Sequence, residues 1–414
     1  MLPPVLEIYV VWHPQDEEGQ VIAREIVEHF HGTPFTGLIG GAVEVFVRSA
    51  GWTGPEDAPR PIPYPSDPPL GGPVQSQYIA VVPVLGNGMA AAIENDAGGW
   101  RAYVNTMIQA RGDGNGRVGV FSCSLHAGAT NGTELGRLLG PLQRLDSVDS
   151  ADDPRPLRIC RDLAQSITQF LSGTTPLTVF LSHTKHAGHP DAADVPALIA
   201  LVREVIGNTH LRTFFDANDI QPGTEWEAAL REKASTSAML ALRTDLYPTR
   251  EWCQREITLA KRAGLPVVMV DAMGFREERG SFLMDHVPRV PIRYGQGQWS
   301  KRDVYRALDL LVDECLKRAL WARQKQLAAA SIGVDVAWWA PHAPEPLTLA
   351  DWLTNSAPRL GVRKKKATKL RILHPDPALG PDEREVLGQI MNLAGWAAGL
   401  DVMTPRQLAS RGGG

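Results

Sequence analysis

Trp252 and Glu256 lie one helical turn apart in the stretch Glu251-Trp252-Cys253-Gln254-Arg255-Glu256-Ile257. Residues four apart on a helix share a face, so this spacing sets a carboxylate beside an aromatic ring. The stretch follows an apolar run, Ala238–Arg243, and a turn, Thr244-Asp245-Leu246-Tyr247. The pair is therefore expected near the carboxyl end of a strand, where open parallel sheets bind ligands. A carboxylate held there can stabilise positive charge developing on a sugar ring, order its hydroxyls and steer water. Taken alone the spacing is weak, because any amphipathic helix can contain it, and Glu256 is then a solvated acid paired with Lys261 or Arg255. Trp252 either walls the sugar or packs its helix onto the sheet, and the two roles are compatible.

The elements that must hold this pair alternate between strand-like and helical runs, the pattern of α/β layers around parallel sheets. A first series reads as strands Leu6–Trp12, Val43–Arg48, Tyr78–Leu85 and Val118–Cys123, with a helix over Val21–Phe30 and a closing helix over Leu157–Leu171. Thr174-Thr175-Pro176 is a breaker-containing linker. A second series reads as strand Leu177–Leu181, helix Val195–Ile206, strands Leu211–Phe215 and Ala238–Arg243, helix Glu251–Ala263, strands Pro266–Val270 and Val290–Tyr294, and a long helix Arg302–Gln324. The two series superpose, Tyr9-Val10-Val11-Trp12-His13 falling on Val179-Phe180-Leu181-Ser182-His183. Their offset of roughly 170 residues is that of a duplicated domain, not a solenoid repeat.

A shorter third piece follows the basic run Arg363-Lys364-Lys365-Lys366, which reads as a solvated linker. Strand Leu370–Leu373, turn His374-Pro375-Asp376-Pro377, helix Glu383–Ala398 and strand Leu400–Met403 make a βαβ unit, with Gly412-Gly413-Gly414 as a tail. The expected domains are 1–173, 176–326 and 333–414.

Composition fits this division. A chain of 414 residues with 43% apolar and 21% charged residues suits two or three folded domains. A net charge of −4 gives no reason to expect nucleic acid or an anionic membrane as partner. No apolar run approaches the length of about 18 residues that spans a bilayer, and no signal region opens the sequence, so a cytoplasmic protein is expected. Cys123, Cys160, Cys253 and Cys315 are scattered and read as reduced, buried residues. His186, His189 and Asp191 cluster without cysteine partners, so no metal is expected. There is no G-x-x-x-x-G-K loop, no G-x-G-x-x-G after a strand and no G-x-S-x-G elbow.

From about Pro176 to Tyr294 the sequence resembles a TIR (Toll/interleukin-1 receptor) domain. Thr178-Val179-Phe180-Leu181-Ser182-His183-Thr184 is similar to the family's first strand and following loop. The segment from Phe214-Phe215-Asp216-Ala217-Asn218-Asp219 to Trp226 is similar to its second strand and BB loop. Leu240–Tyr247 is similar to the next strand and turn, and Trp252–Ile257 to the tryptophan–glutamate helix. Arg250 stands where serine is common, and Pro248 shortens the turn. The fold expected is two tandem flavodoxin-like, TIR-like parallel-sheet domains plus a partial βαβ domain. In the first copy Gly98-Gly99-Trp100-Arg101-Ala102-Tyr103-Val104 aligns with the tryptophan–glutamate helix, and Val104 replaces the acid. The Pro/Gly-rich segment Ser49–Pro73 replaces a compact BB loop there, so this copy reads as a catalytically dead scaffold or sensor.

The resemblance implies cleavage of NAD+ between nicotinamide and ribose, with Glu256 as the catalytic carboxylate and NAD+ as substrate rather than cofactor. Ser182, His183, Thr184, Phe215, Asp216, Asp219, Thr244 and Trp252 are the binding residues it implies. For Ser182 and His183 the alternative is a strand-capping turn, and for Asp216 and Thr244 a loop or helix cap. It implies further an antiviral effector activated by assembly into a homo-oligomer or filament through TIR–TIR contacts, with a sensor protein or ligand as trigger. A TIR scaffold without catalysis and a synthase of cyclic or base-exchanged ADP-ribose are the alternatives.

Overall fold

In the computed structural model the described residues are 4–32, 35, 42–65, 75–113, 116–140, 142, 144–145, 150–173, 177–184, 195–211, 213–216, 237–274, 280–331, 335–358, 369–396 and 399–411. The chain groups into two compact units. One comprises Met1–Phe170, Leu320–Gly333 and Thr404–Gly414, the other Leu171–Ala319 and Val334–Met403.

The first unit is built on a parallel sheet of β1 (Leu6–Val11), β2 (Val43–Arg48), β3 (Tyr78–Leu85), β4 (Val118–Val120), β5 (Ser122–Ser124) and β6 (Arg144–Leu145). Its order is β2-β1-β3-β5-β6, with β4 also paired to β3. The run expected as one strand over Val118–Cys123 is thus two, interrupted at Phe121, and β6 is an edge strand too short to be legible as a run. All eight residues of β3 are buried. A continuous apolar run of that kind is what a strand covered on both faces requires.

The second unit carries β7 (Thr178–Ser182), β8 (Thr213–Asp216), β9 (Ser237–Arg243), β10 (Val267–Asp271) and β11 (Arg289–Pro291), all parallel, in the order β8-β7-β9-β10-β11. With the interrupted β4 and β5 counted as one strand and the strands renumbered within each unit, both sheets read 2-1-3-4-5, the flavodoxin-like doubly wound order. The chain is therefore α/β with two tandem parallel-sheet units, and a third parallel sheet joins Trp338–Trp339, Leu370–Leu373 and Leu400–Met403. Helix Pro381–Leu393 connects the last two strands. It stops short of the expected Ala398 because Gly395 adopts φ +84°, a left-handed conformation that ends helices.

Helix Glu251–Ala263 joins β9 to β10. Cys253, Ile257 and Ala260, at helical spacing, pack into a core with Phe180, Met239, Ala241, Val267 and Met269. Its carboxyl end is fixed several times over. Gly264 takes φ +63° and Leu265 N–H donates to Ala260 O at 2.9 Å. Arg318 Nη1 donates to Gly264 O, and Lys261 Nζ to Asp285 O at 2.7 Å. Lys261 also forms a buried pair with Glu345 at 3.7 Å. A Cβ added to Gly264 would stand 2.8 Å from Pro341 Cγ, so only glycine fits both the backbone and the space.

Candidate active site

Ser182 closes β7 and Glu256 projects from helix Glu251–Ala263, and the fold brings the two into contact. Ser182 Oγ donates to Glu256 Oε2, and Trp252 Nε1 donates to Glu256 Oε1. Tyr247 OH lies 2.6 Å from Ser182 Oγ. A hydroxyl has a single proton to give, so with Ser182 donating to Glu256 it is Tyr247 that donates to Ser182. Glu256 is 1% exposed, Ser182 1% and Tyr247 0%. The solvated acid paired with Lys261 or Arg255 is thereby excluded: Lys261 is engaged with Glu345, and the Arg255 guanidinium lies over the Trp252 ring at 5.9 Å.

Why the carboxylate ends here follows from register. Ser182 pairs with Ala241 of β9, so the carboxyl ends of β7 and β9 lie side by side. The 3₁₀ turn Tyr247–Thr249 then reverses the chain into the helix, with Pro248 inside it. Gln254 Nε2 donates to Pro248 O at 2.6 Å and ties the turn to the helix. Arg250 takes the N-cap position without a side-chain cap, the serine or threonine bond being absent. Burial, reinforced by the Cys253 thiol and the Glu256 carboxylate, raises the Tyr247 hydroxyl well above the ordinary tyrosine range, against the opposing bond from Ser182. Tyr247 therefore stays a proton donor.

Of the other residues singled out in the sequence, His183 and Thr184 are buried just beyond β7, with His183 Nδ1 3.0 Å from Thr184 O. The Cys253 thiol meets His183 O at 3.9 Å. Thr244 is buried, and its Oγ1 has no hydrogen-bond partner among the described residues. Phe215 and Asp216 occupy the last two positions of β8, opposite Phe180 and Leu181 of β7. Asp219, the remainder of the BB-loop segment, His186, His189 and Asp191 lie outside the described residues. Trp252 is partly buried and packs against the core beneath its helix, and its indole N–H holds the acid. Tyr247 was not singled out, although it ends the Thr244–Tyr247 turn, and only its packing shows that it reaches Ser182.

The corresponding place in the first unit is helix Trp100–Asp113, which likewise lies between the third and fourth strands. Trp100 and Val104 are both fully buried. With no acid one turn on, Trp100 Nε1 donates instead to Glu56 O at 2.7 Å. His13, beyond β1, stacks obliquely on Trp100 with centroids 5.1 Å apart, and burial lowers its pKa. The Asp16 carboxylate accepts from Gly88 N at 2.7 Å and Met89 N at 3.0 Å, occupying the amino end of helix Asn87–Glu94. Among the described residues no group of three or more His, Cys, Asp and Glu could hold a metal, and no helix is long and apolar enough to cross a membrane.

No protein-family model matches the chain, and no curated protein matches it. Among solved structures it is similar to tagatose-6-phosphate ketose/aldose isomerase from Escherichia coli at 10% identity, covering 77% of this chain and 83% of that one with a TM-score of 0.18. A likeness of that size supports no argument about fold or activity.

Proposed function

We propose that the chain is a TIR-type NAD+ glycohydrolase, probing its substrate with Glu256 and releasing nicotinamide and ADP-ribose. The observation that carries this reading is a buried carboxylate, held by a donor on each oxygen, at the carboxyl end of the central strands of a 2-1-3-4-5 sheet. Nicotinamide leaves as a neutral molecule when its bond to ribose C1′ breaks, so no strong acid is required. The ribosyl cation left behind is stabilised by the carboxylate, the more strongly because water is excluded around it. Water then adds at C1′ and loses a proton. The Thr244 hydroxyl, without a partner among the described residues, fits a ribose hydroxyl.

Because both Glu256 oxygens are engaged, the carboxylate must loosen its hold on Ser182 or Trp252 to meet substrate. This fits an enzyme at rest that assembly into a homo-oligomer or filament activates, as in an anti-phage effector, the first unit serving as scaffold or sensor surface. NAD+ enters as substrate, and no cofactor, nucleic acid or membrane is invoked. The compartment proposed is the cytoplasm.

A second reading, a TIR scaffold that only binds other TIR domains, is favoured by the same burial: a carboxylate satisfied on both oxygens also serves to bolt β7 to its neighbouring helix. The test is to incubate concentrated protein with NAD+, beside Glu256→Gln, and follow nicotinamide and product peaks. Nicotinamide release by the wild type alone supports the enzyme, and an ADP-ribose or a cyclic product peak selects hydrolase or synthase. Silence of both proteins under crowding overturns the enzyme in favour of the scaffold.

A further inference from the structure

We propose that the cleft lined by Pro291, Arg293, Arg302, Asp303 and Arg306 binds a small anion of the pyrophosphate class, carrying at least two negative charges. This site is independent of the NAD+-cleavage reading. It lies beyond β11, with β9 and β10 between that strand and β7, about 14 Å across the sheet at the usual strand spacing. None of its residues belongs to the Glu256 network.

The cleft has a volume of about 470 Å³, ample for a diphosphate group. Three guanidinium groups line it against a single carboxylate. Asp303 is fully buried and is spent inside the cluster. It accepts from Arg293 Nε at 2.8 Å, Arg293 Nη2 at 3.1 Å, Arg293 N at 3.2 Å and Arg306 Nη1 at 3.3 Å. Burial by itself raises the Asp303 pKa, yet the hydrogen bonds from Arg293 and Ser300 hold it down at about 2, so it stays charged. A structural ion pair requires one arginine. Here Asp303 fixes the planar fork of Arg293 and braces Arg306, while Arg302 is exposed. One negative charge against three positive leaves the cluster at a formal +2.

Secondary structure adds to the same field. The cluster surrounds the first turn of helix Lys301–Ser331, whose amino end carries positive partial charge. The hairpin Tyr294–Gly295 and Gln298–Trp299 fixes the chain between Arg293 and that helix. Its turn residues Gln296 and Gly297 both take positive φ, +53° and +78°. Asp303 occupies the Nε and Nη2 edge of Arg293 and one nitrogen of Arg306, so the donors left to the cleft are those of Arg302 and the remaining nitrogens of the other two. Their net +2 favours the pyrophosphate class over a single-charged anion.

The experiment is calorimetric titration of the full-length protein with sodium pyrophosphate at low salt. The expected result is binding tighter than about 1 mM, weakened at least about tenfold in R302A/R306A and unchanged in Glu256→Gln. Added salt should weaken it, as ion pairing demands. Should the double variant lose its fold by circular dichroism, Arg302→Gln alone, at an exposed position, gives the same readout. Absence of binding by the wild type, or equal binding by the arginine variants, overturns the site. Loss of binding in Glu256→Gln but not in the arginine variants also overturns it, and places the anion in the Glu256 site instead.

Discussion

The two units share a sheet order and place a tryptophan-bearing helix at the same point in it, but they use the indole differently. In the second unit Trp252 Nε1 donates to Glu256. In the first, Trp100 Nε1 donates to a backbone carbonyl, at Glu56, and Val104 fills the place of the acid. A buried tryptophan needs a partner for its N–H in either case. What differs is whether that partner carries charge. A buried carboxylate is tolerated only with donors assembled around it, and in the second unit Ser182 and Trp252 supply them, with Tyr247 bonded to Ser182 behind.

On the proposed glycohydrolase reading, the largest expected effect is on chemistry. Glu256→Gln keeps the shape of the side chain and removes its charge, and is expected to lower nicotinamide release about a thousandfold or more, the scale of losing a principal electrostatic contact. Val104→Glu in the Glu256→Gln background should restore none of it. Restoration would show that the first unit holds a latent site and would break the comparison.

The next effect is on stability. Val104→Glu places a carboxylate among apolar neighbours and an indole already engaged, and should destabilise the first unit by roughly 3 kcal/mol or more in urea unfolding. A near-neutral result would mean that the pocket around Trp100 reorganises to accept an acid. His374 gives an effect of similar size elsewhere in the second unit. It is fully buried, and burial lowers its pKa from 6.5 to about 4. The unfolded chain therefore binds a proton that the folded chain refuses. Stability is full above 6.5 and is lost as pH falls toward 4, by about 3 kcal/mol. His374→Gln should flatten that stretch of the pH–stability curve.

Smaller differences sharpen the pairing. Trp252→Phe and Trp100→Phe each remove one indole N–H, and each should lower stability by about 1–2 kcal/mol. Only Trp252→Phe should change activity, by about tenfold, because only there does the indole hold a carboxylate. Tyr247→Phe should cost about 1 kcal/mol through the bond it removes from Ser182. The wild type should also weaken above pH 10, where the unfolded chain releases the Tyr247 proton and the folded chain keeps it, and the phenylalanine variant should weaken less.

Local pattern determined a good deal of this protein. Apolar runs marked Val43–Arg48, Tyr78–Leu85, Leu370–Leu373 and Leu400–Met403 at the bounds the strands take, and helical periodicity marked Glu251–Ala263 at both ends. Tyr78–Leu85 announces itself because a strand buried on both faces must be continuously apolar. The three shorter strands do so because apolar residues dominate them despite the charges they carry, and the helix because it must repeat its buried face every turn. The i, i+4 spacing placed Trp252 beside Glu256, since one helix fixes that distance without help. Tertiary structure decided the rest. Ser182 is 74 positions from Glu256 and Tyr247 is 65 from Ser182, and nothing local ties them; only the β7–β9 register brings them together. Sequence left Glu256 open to being a solvated helix-face acid, and only the packing that closes over it shows that it is buried. The arginine cleft, likewise, has no signature along the chain, because its cations come from just past a strand end, at Arg293, and from a helix start, at Arg302 and Arg306, with one buried aspartate holding the first and last of them.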